Sequence, residues 1–170
     1  MVVASTMLAL TAVSACSGGS EPKDEPRSTP SASATPDASA EVKDLVSQYW
    51  DTVTQAENSA DTDRAQFKGV ARGSFLENEF RKLDNYADQG INRVGGPSIT
   101  AVEVSVDGTT AVVSHCIDED GWTAEKNGEA LKPILTGNRP FGLTATRTGD
   151  TWIITDTGLT KGQERAKDCS

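Results

Sequence analysis

ITAVEVSVDGTTAVVSHCI, Ile99 to Ile117, decides the fold. Two β-rich runs, Ile99 to Val106 and Thr110 to Ile117, flank Asp107-Gly108. Branched side chains suit a pleated, half-buried surface. Asp-Gly between two such runs marks a hairpin, because glycine accepts the positive φ of a tight turn. The same pattern recurs downstream. Phe141 to Arg147 and Thr151 to Thr157 flank Gly149-Asp150, and Lys126-Asn127-Gly128-Glu129 marks a weaker turn between Trp122-Thr123 and Leu131. This half of the chain is predicted to be an antiparallel sheet.

Upstream the apolar period is helical. Val42, Leu45, Val46, Tyr49, Val53, Ala56 and Ala60 recur at steps of three and four, with Trp50 widening the stripe. This predicts an amphipathic helix capped by Asp37 or Ser39. Asp61-Thr62-Asp63 should cap a second, shorter helix bearing Ala65, Phe67, Val70 and Ala71. Ser74 is placed to cap a third, with Phe75, Leu76, Phe80, Leu83 and Ala87 on one side and Gly90 stopping it in the left-handed conformation. Helices followed by a run of antiparallel strands read as α+β, with N-terminal helices packed against one face of a curved sheet.

The bulk properties agree. At 170 residues the chain holds one ordinary domain, and aromatics at 5% leave the core to Val, Ile, Leu and Ala. A net charge of −9 argues against nucleic acid, whose binding needs Lys and Arg on phosphates. No stretch reaches the ~18 apolar residues of a membrane span.

Val2 to Ala15 is uncharged and apolar, and ends in Val13-Ser14-Ala15-Cys16. This resembles the lipobox of bacterial lipoproteins. The resemblance implies a signal peptide over residues 1–15 and diacylglycerol on Cys16, with palmitate-type chains. Two acyl chains on one residue anchor stably, where one is marginal. The alternative is ordinary secretion, with Cys16 left as a thiol. Ser17 to Ala40 contains no aromatic residue and no Val, Ile, Leu or Met. Residues 16–40 therefore read as the lipidated cysteine plus a disordered spacer, reaching roughly 25–30 Å. The folded domain is expected over residues 41–170.

Within that domain the order of motifs is similar to a group of actinobacterial secreted lipoproteins with an NTF2-like (cystatin-like cone) domain. The likeness rests on Tyr49-Trp50 in the opening helix, Gly95-Gly96-Pro97, the strand Thr110 to Asp118 followed by Gly121-Trp122, Gly149 to Ile154, and a final Cys169. It implies a cone-shaped sheet around a helix, often with an apolar cavity. It implies no particular chemistry, since this fold hosts enzymes, binders and interaction modules alike.

With Cys16 lipidated, Cys116 and Cys169 remain as an even pair, which in an exported protein implies a disulfide. Two separate thiols are the alternative. A catalytic Cys116 beside His115 is disfavoured because neighbours on a strand face opposite ways. His115, the single histidine, shares its strand face with Ala111, Val113 and Ile117. Were that face the cone interior, a pocket would be lined by Tyr49, Val53, Val113, His115 and Ile117. The plainer reading of His115 is a hydrogen-bonded structural residue. Asp118-Glu119-Asp120-Gly121 lacks the spacing of a calcium loop and reads as a solvated turn. No metal, cofactor or catalytic constellation is expected. Trp50 and Trp152 are expected in the core, with Trp122 able to line the cone mouth.

The sequence thus points to a lipid-anchored protein on the extracytoplasmic face of the cell membrane. It would act as a non-catalytic module for an envelope protein or a small apolar ligand. The competing readings are a small NTF2-like enzyme using His115 with a cavity carboxylate, and a phage or mobile-element envelope protein that blocks competitors.

Overall fold

Residues 36–132, 136–159 and 169 are described by a computed structural model of the chain, and all fall within the compact unit Ser33–Ser170. The signal segment, Cys16 and the spacer up to residue 35 lie outside the described residues.

The first apolar stripe forms helix α1, Pro36–Ser59. Val42, Leu45, Val46, Tyr49, Trp50, Val53 and Ala56 are all buried along it. The helix begins earlier than expected. Asp37 and Ser39 lie inside its first turns rather than capping it, and residues 36–40 are helical rather than spacer. Proline suits that opening position, because its fixed φ is already helical and the N–H it lacks would have no intrahelical acceptor.

The expected second helix is only a 3-10 turn, Arg64–Phe67. Asp63 caps it as anticipated, its carboxylate accepting from the Ala65 N–H at 2.8 Å. Gly69, at φ 85°, then turns the chain out of helix. Val70 to Arg72 run instead alongside the final strand, with Ala71 bridged in parallel to Ile154. Helix α2 spans Leu76–Gln89 and buries Leu76, Phe80 and Leu83. Ser74 does not cap it through its side chain; Phe75 holds the cap position, and backbone turns from Gly73, Ser74 and Phe75 start the helix. Gly90 ends it at φ 65°.

Strand β1, Ile91–Gly95, follows directly and was not foreseen. Then come β2 (Ser98–Asp107), β3 (Thr110–Asp118), β4 (Trp122–Lys126), β5 (Glu129–Ala130), β6 (Asn138–Thr148) and β7 (Thr151–Thr157). They form two antiparallel sheets ordered β2-β3-β6-β7 and β1-β4-β5. Asp107 pairs with Thr110, Lys126 with Glu129, and Thr148 with Thr151, so each glycine-bearing turn is a two-residue hairpin loop.

Strand β2 carries a bulge between Thr100 and Glu103, with Ala101 at φ 51°. The extra residue keeps both halves facing the core: Ile99 pairs with Ile117, while Val104 and Val106 pair with Val113 and Ala111. The core lies where α1 meets that face, and joins the α1 stripe to Ala111, Val113, Ile117, Leu143, Ala145 and Ile154. The result is the α+β cone expected, with helices packed against curved antiparallel sheet.

Cys116 and Cys169 form a disulfide, with Cα atoms 5.7 Å apart. The Asn138 side-chain amide donates to the Cys169 carbonyl at 2.7 Å. Just after β7 the chain crosses Gly142. The Gly158 N–H donates to the Gly142 carbonyl at 2.9 Å, and a Cβ on Gly142 would sit 2.5 Å from the Gly158 oxygen.

Candidate functional site

Helices α1 and α2, strands β6 and β7 (through Thr157) and the β3–β4 turn converge on a cavity of about 290 Å³. Helix α1 presents Tyr49, Val53 and Glu57 at four-residue steps, hence on one face, with Trp50 beside them. Helix α2 adds Asn78, Glu79 and Lys82, and the residue before it, Phe75, closes one wall. Arg139 and Phe141 alternate along β6 and so share a face. Glu119 and Trp122 flank the turn between β3 and β4. A wider groove of about 720 Å³ runs outside, between α2 and the β1-β4 pair, and shares Lys82, Glu119, Trp122 and Arg139 with the cavity.

The polar side of the cavity is a row of alternating charges. Glu57 is only 1% exposed. It accepts from the Lys82 ammonium at 2.6 Å and the Arg93 guanidinium at 3.3 Å. Lys82 also meets Glu79 at 2.8 Å, and Glu119 lies 3.8 Å from Arg93 and 3.2 Å from Arg139. The order is Glu79, Lys82, Glu57, Arg93, Glu119, Arg139. Arg93 stacks 3.5 Å over the Trp122 ring and donates to the Trp122 carbonyl. Trp122 in turn donates to the Asn58 side chain at 2.8 Å.

Burial raises the Glu79 carboxyl above the ordinary carboxylate range. Lys82 opposes that rise and Glu57 adds to it. Burial would lower the Lys82 ammonium, but the Glu57 and Glu79 carboxylates outweigh it and hold the group above its usual value. Tyr49 is pushed well above the usual phenol range by burial, then by Glu79 and Glu57, so its hydroxyl stays protonated. The Glu79 Oε1 atom is buried with no donor facing it, and the carboxyl also meets that of Glu57 through a side-chain hydrogen bond that favours its protonated form.

Of the residues expected to line a pocket, Tyr49 and Val53 do so. Val113, His115 and Ile117 are fully buried, and are not on the cavity wall. The Trp50 indole N–H donates to His115 Nε2 at 3.0 Å. Trp50 and Phe141, both on the wall, pack their rings against the imidazole at centroid distances of 5.8 and 5.5 Å. Nε2 is thus an acceptor, which fixes the neutral ring with its proton on Nδ1. Trp50 is buried as expected yet faces the cavity, and Trp122 lines both cavity and groove.

The acidic turn is engaged by the protein itself. Asp118 accepts from the Asp120 N–H, Asp120 from the Gly137 N–H, and Glu119 pairs with two arginines. Among the described residues no group of three or more His, Cys, Asp or Glu is placed to hold a metal ion, and no helix is long and apolar enough to cross a membrane.

The charged row was missed at the sequence level. One signal was available: Glu57 lies four residues beyond Val53 on the buried stripe, and a carboxylate there must find cations. Which cations, from α2, β1 and β6, is set by tertiary packing.

No family model matches the chain, and no curated protein matches it in sequence. Solved structures of similar shape include the intermembrane space region of the chloroplast protein ARC6, at 18% identity and a TM-score of 0.49, covering 71% of this chain and 94% of that one. The Kfla4162 protein from Kribbella flavida is 16% identical at a TM-score of 0.46, covering 71% of this chain and 88% of that one. An NTF-2 like protein of unknown function from Shewanella oneidensis MR-1 is 18% identical at a TM-score of 0.41, covering 68% of this chain and 96% of that one. These are likenesses of shape, and no residue role passes from them to this chain.

Proposed function

We propose that the chain is an extracytoplasmic lipoprotein, anchored through Cys16, whose cone cavity binds a small ligand without turning it over. The carrying observation is the seclusion of His115. Its Nε2 already accepts from Trp50, and Trp50 and Phe141 stand on the wall in front of it. An enzyme built on His115 with a cavity carboxylate needs that nitrogen presented to substrate. The cations on the wall, Lys82 and Arg139, are committed to carboxylates. What the cavity offers a ligand is the aromatic faces of Tyr49, Trp50, Phe75, Trp122 and Phe141 beside a row of charges that are already paired with one another.

The anchoring half rests on Val13-Ser14-Ala15-Cys16. Cys16→Ser should release the protein to the medium or leave it unprocessed, and mass spectrometry showing an unmodified Cys16 on the mature protein refutes anchoring. The binding half is tested by native mass spectrometry with small aromatic probes. Bound probe lost on Tyr49→Phe and retained on His115→Asn supports a cavity separate from the histidine. Turnover that depends on His115 would overturn the reading.

A further inference from the structure

The cavity wall between α1 and α2 contains a carboxyl pair. Glu57 and Glu79 meet through a side-chain hydrogen bond, and two carboxyls can do so only if one of them carries a proton. The geometry says which one. Glu57 is 1% exposed and accepts from two cations, Lys82 at 2.6 Å on one oxygen and Arg93 at 3.3 Å on the other. It is the carboxylate. Glu79 meets one cation among the described residues, Lys82, at 2.8 Å from Oε2. Its Oε1 atom is buried and no donor faces it. A bare carboxylate oxygen left there without a donor is costly. A protonated oxygen is itself a donor and needs none. The proton therefore sits on Glu79 Oε1 and is directed at Glu57. The other titratable and charged groups around the pair are Tyr49 from α1, Lys82 and Tyr86 from α2, Arg93 from β1, and further along the row Glu119 from the β3–β4 turn and Arg139 from β6. Both phenols are raised and stay protonated where carboxyls titrate. Arg93 and Arg139 face Glu57 and Glu119, so Lys82 is left to serve both members of the pair.

We propose that this single proton latches the cavity. While Glu79 holds it, α1 and α2 are joined across the wall at Glu57. When it leaves to water, two carboxylates face each other over one ammonium. Glu79 is the more exposed of the two, at 14% against 1%, and follows the exposed Asn78 on α2. It swings out to solvent there and opens the wall. Burial first, and Glu57 with it, delay the release to a pH above the ordinary carboxyl range, against the pull of Lys82. The cavity is closed in acid and open once the proton is lost. As a control on ligand entry this rests on the binding reading above; as a property of the wall it stands without a ligand.

The test follows the full chain across pH, first with no ligand. Carbon NMR of the glutamate carboxyls locates the proton. Acrylamide quenching of tryptophan reports access, since Trp50 and Trp122 line the cavity. Glu79 should titrate above the ordinary carboxyl range with Glu57 already ionised, and quenching should rise several-fold over the same interval. Glu79→Gln supplies an amide that donates to Glu57 and accepts from Lys82 but has no proton to lose, so its quenching should stay low at every pH. Glu79→Ala removes the latch, and its quenching should be high at every pH with the fold intact by circular dichroism. A Glu79 carboxyl that titrates at or below the ordinary value, a parent without a quenching step, or a step that persists in Glu79→Gln overturns the latch. Native mass spectrometry with 2-phenylethanol, uncharged at every pH used, separates the two readings. Binding that ignores pH removes the latch and leaves the binding cavity. A quenching step with no bound alcohol keeps the latch and removes the binding reading.

Discussion

Replacing Glu57 by Gln removes one buried charge and little volume, so it isolates the electrostatics of the row. The carboxylate is 1% exposed and holds Lys82 at 2.6 Å and Arg93 at 3.3 Å. Removing one partner from a buried ion pair typically costs about 3–5 kcal/mol, because the remaining charge is left uncompensated. Here neither cation is left alone. Lys82 keeps Glu79 at 2.8 Å and is partly exposed; Arg93 keeps the Trp122 carbonyl and, more distantly, Glu119. The expected cost therefore sits at the low end, about 3 kcal/mol. For a domain of this size each kcal/mol moves Tm by roughly 3–4 °C, giving a drop of about 10 °C by calorimetry. Glu57→Gln combined with Lys82→Gln should cost less than the two single changes added, since the second removes a charge the first has stranded. A Glu57→Gln protein within about 1 kcal/mol of the parent, or strict additivity in the double variant, would show that the row adds nothing beyond packing.

Reducing the Cys116–Cys169 disulfide, or Cys169→Ser, should lower stability by about 2–5 kcal/mol in denaturant titration, since it frees a long chain closure; two alkylatable thiols in the folded protein would contradict the bond. Gly142→Ala places a methyl 2.5 Å from the Gly158 oxygen, so it should destabilise by about 1–3 kcal/mol and expose the segment after β7 to proteolysis, with unchanged protection as the refuting result. The raised Glu79 carboxyl makes the folded chain hold a proton that the unfolded chain has lost. Stability should therefore fall as pH climbs from the ordinary carboxyl value, 4.5, toward the raised one, and Glu79→Gln should flatten that decline; an identical pH profile in the variant refutes it.

Much of the sheet was legible because its turns are local. Gly108, Asn127-Gly128 and Gly149 adopt the positive φ that two-residue hairpins require, and their flanking residues pair as the alternation implies. The long helix was equally plain, and its start was missed because residues 36–40 carry a composition poor in large apolar side chains. Val70 and Ala71 fit a helical pattern, but they are taken by β7, a partner more than eighty positions away in sequence. The bulge was written in the parity of the apolar residues: Ile99 is odd, while Val102, Val104 and Val106 are even, and no unbroken strand puts both on one face. The pocket was half legible. Tyr49 and Val53 follow from the helix period, but whether a face on β3 meets a void or a neighbouring ring depends on Trp50 and Phe141 filling the space, which no strand alternation encodes.

The four-stranded sheet ends at β2 on one side and β7 on the other, and neither border is a straight, open row of peptide groups. Along β7, Ile154 exchanges hydrogen bonds with Val70 and Arg72. Along β2, the left-handed residue Ala101 bends the strand midway. Borders of this kind resist zippering onto a second copy. Where copies of the chain meet at high density, such borders limit fibre formation and clumping. They also narrow the ways a peptide can dock: adding itself as a further strand here is disfavoured, so recognition falls to side chains at the cone mouth and on the helices.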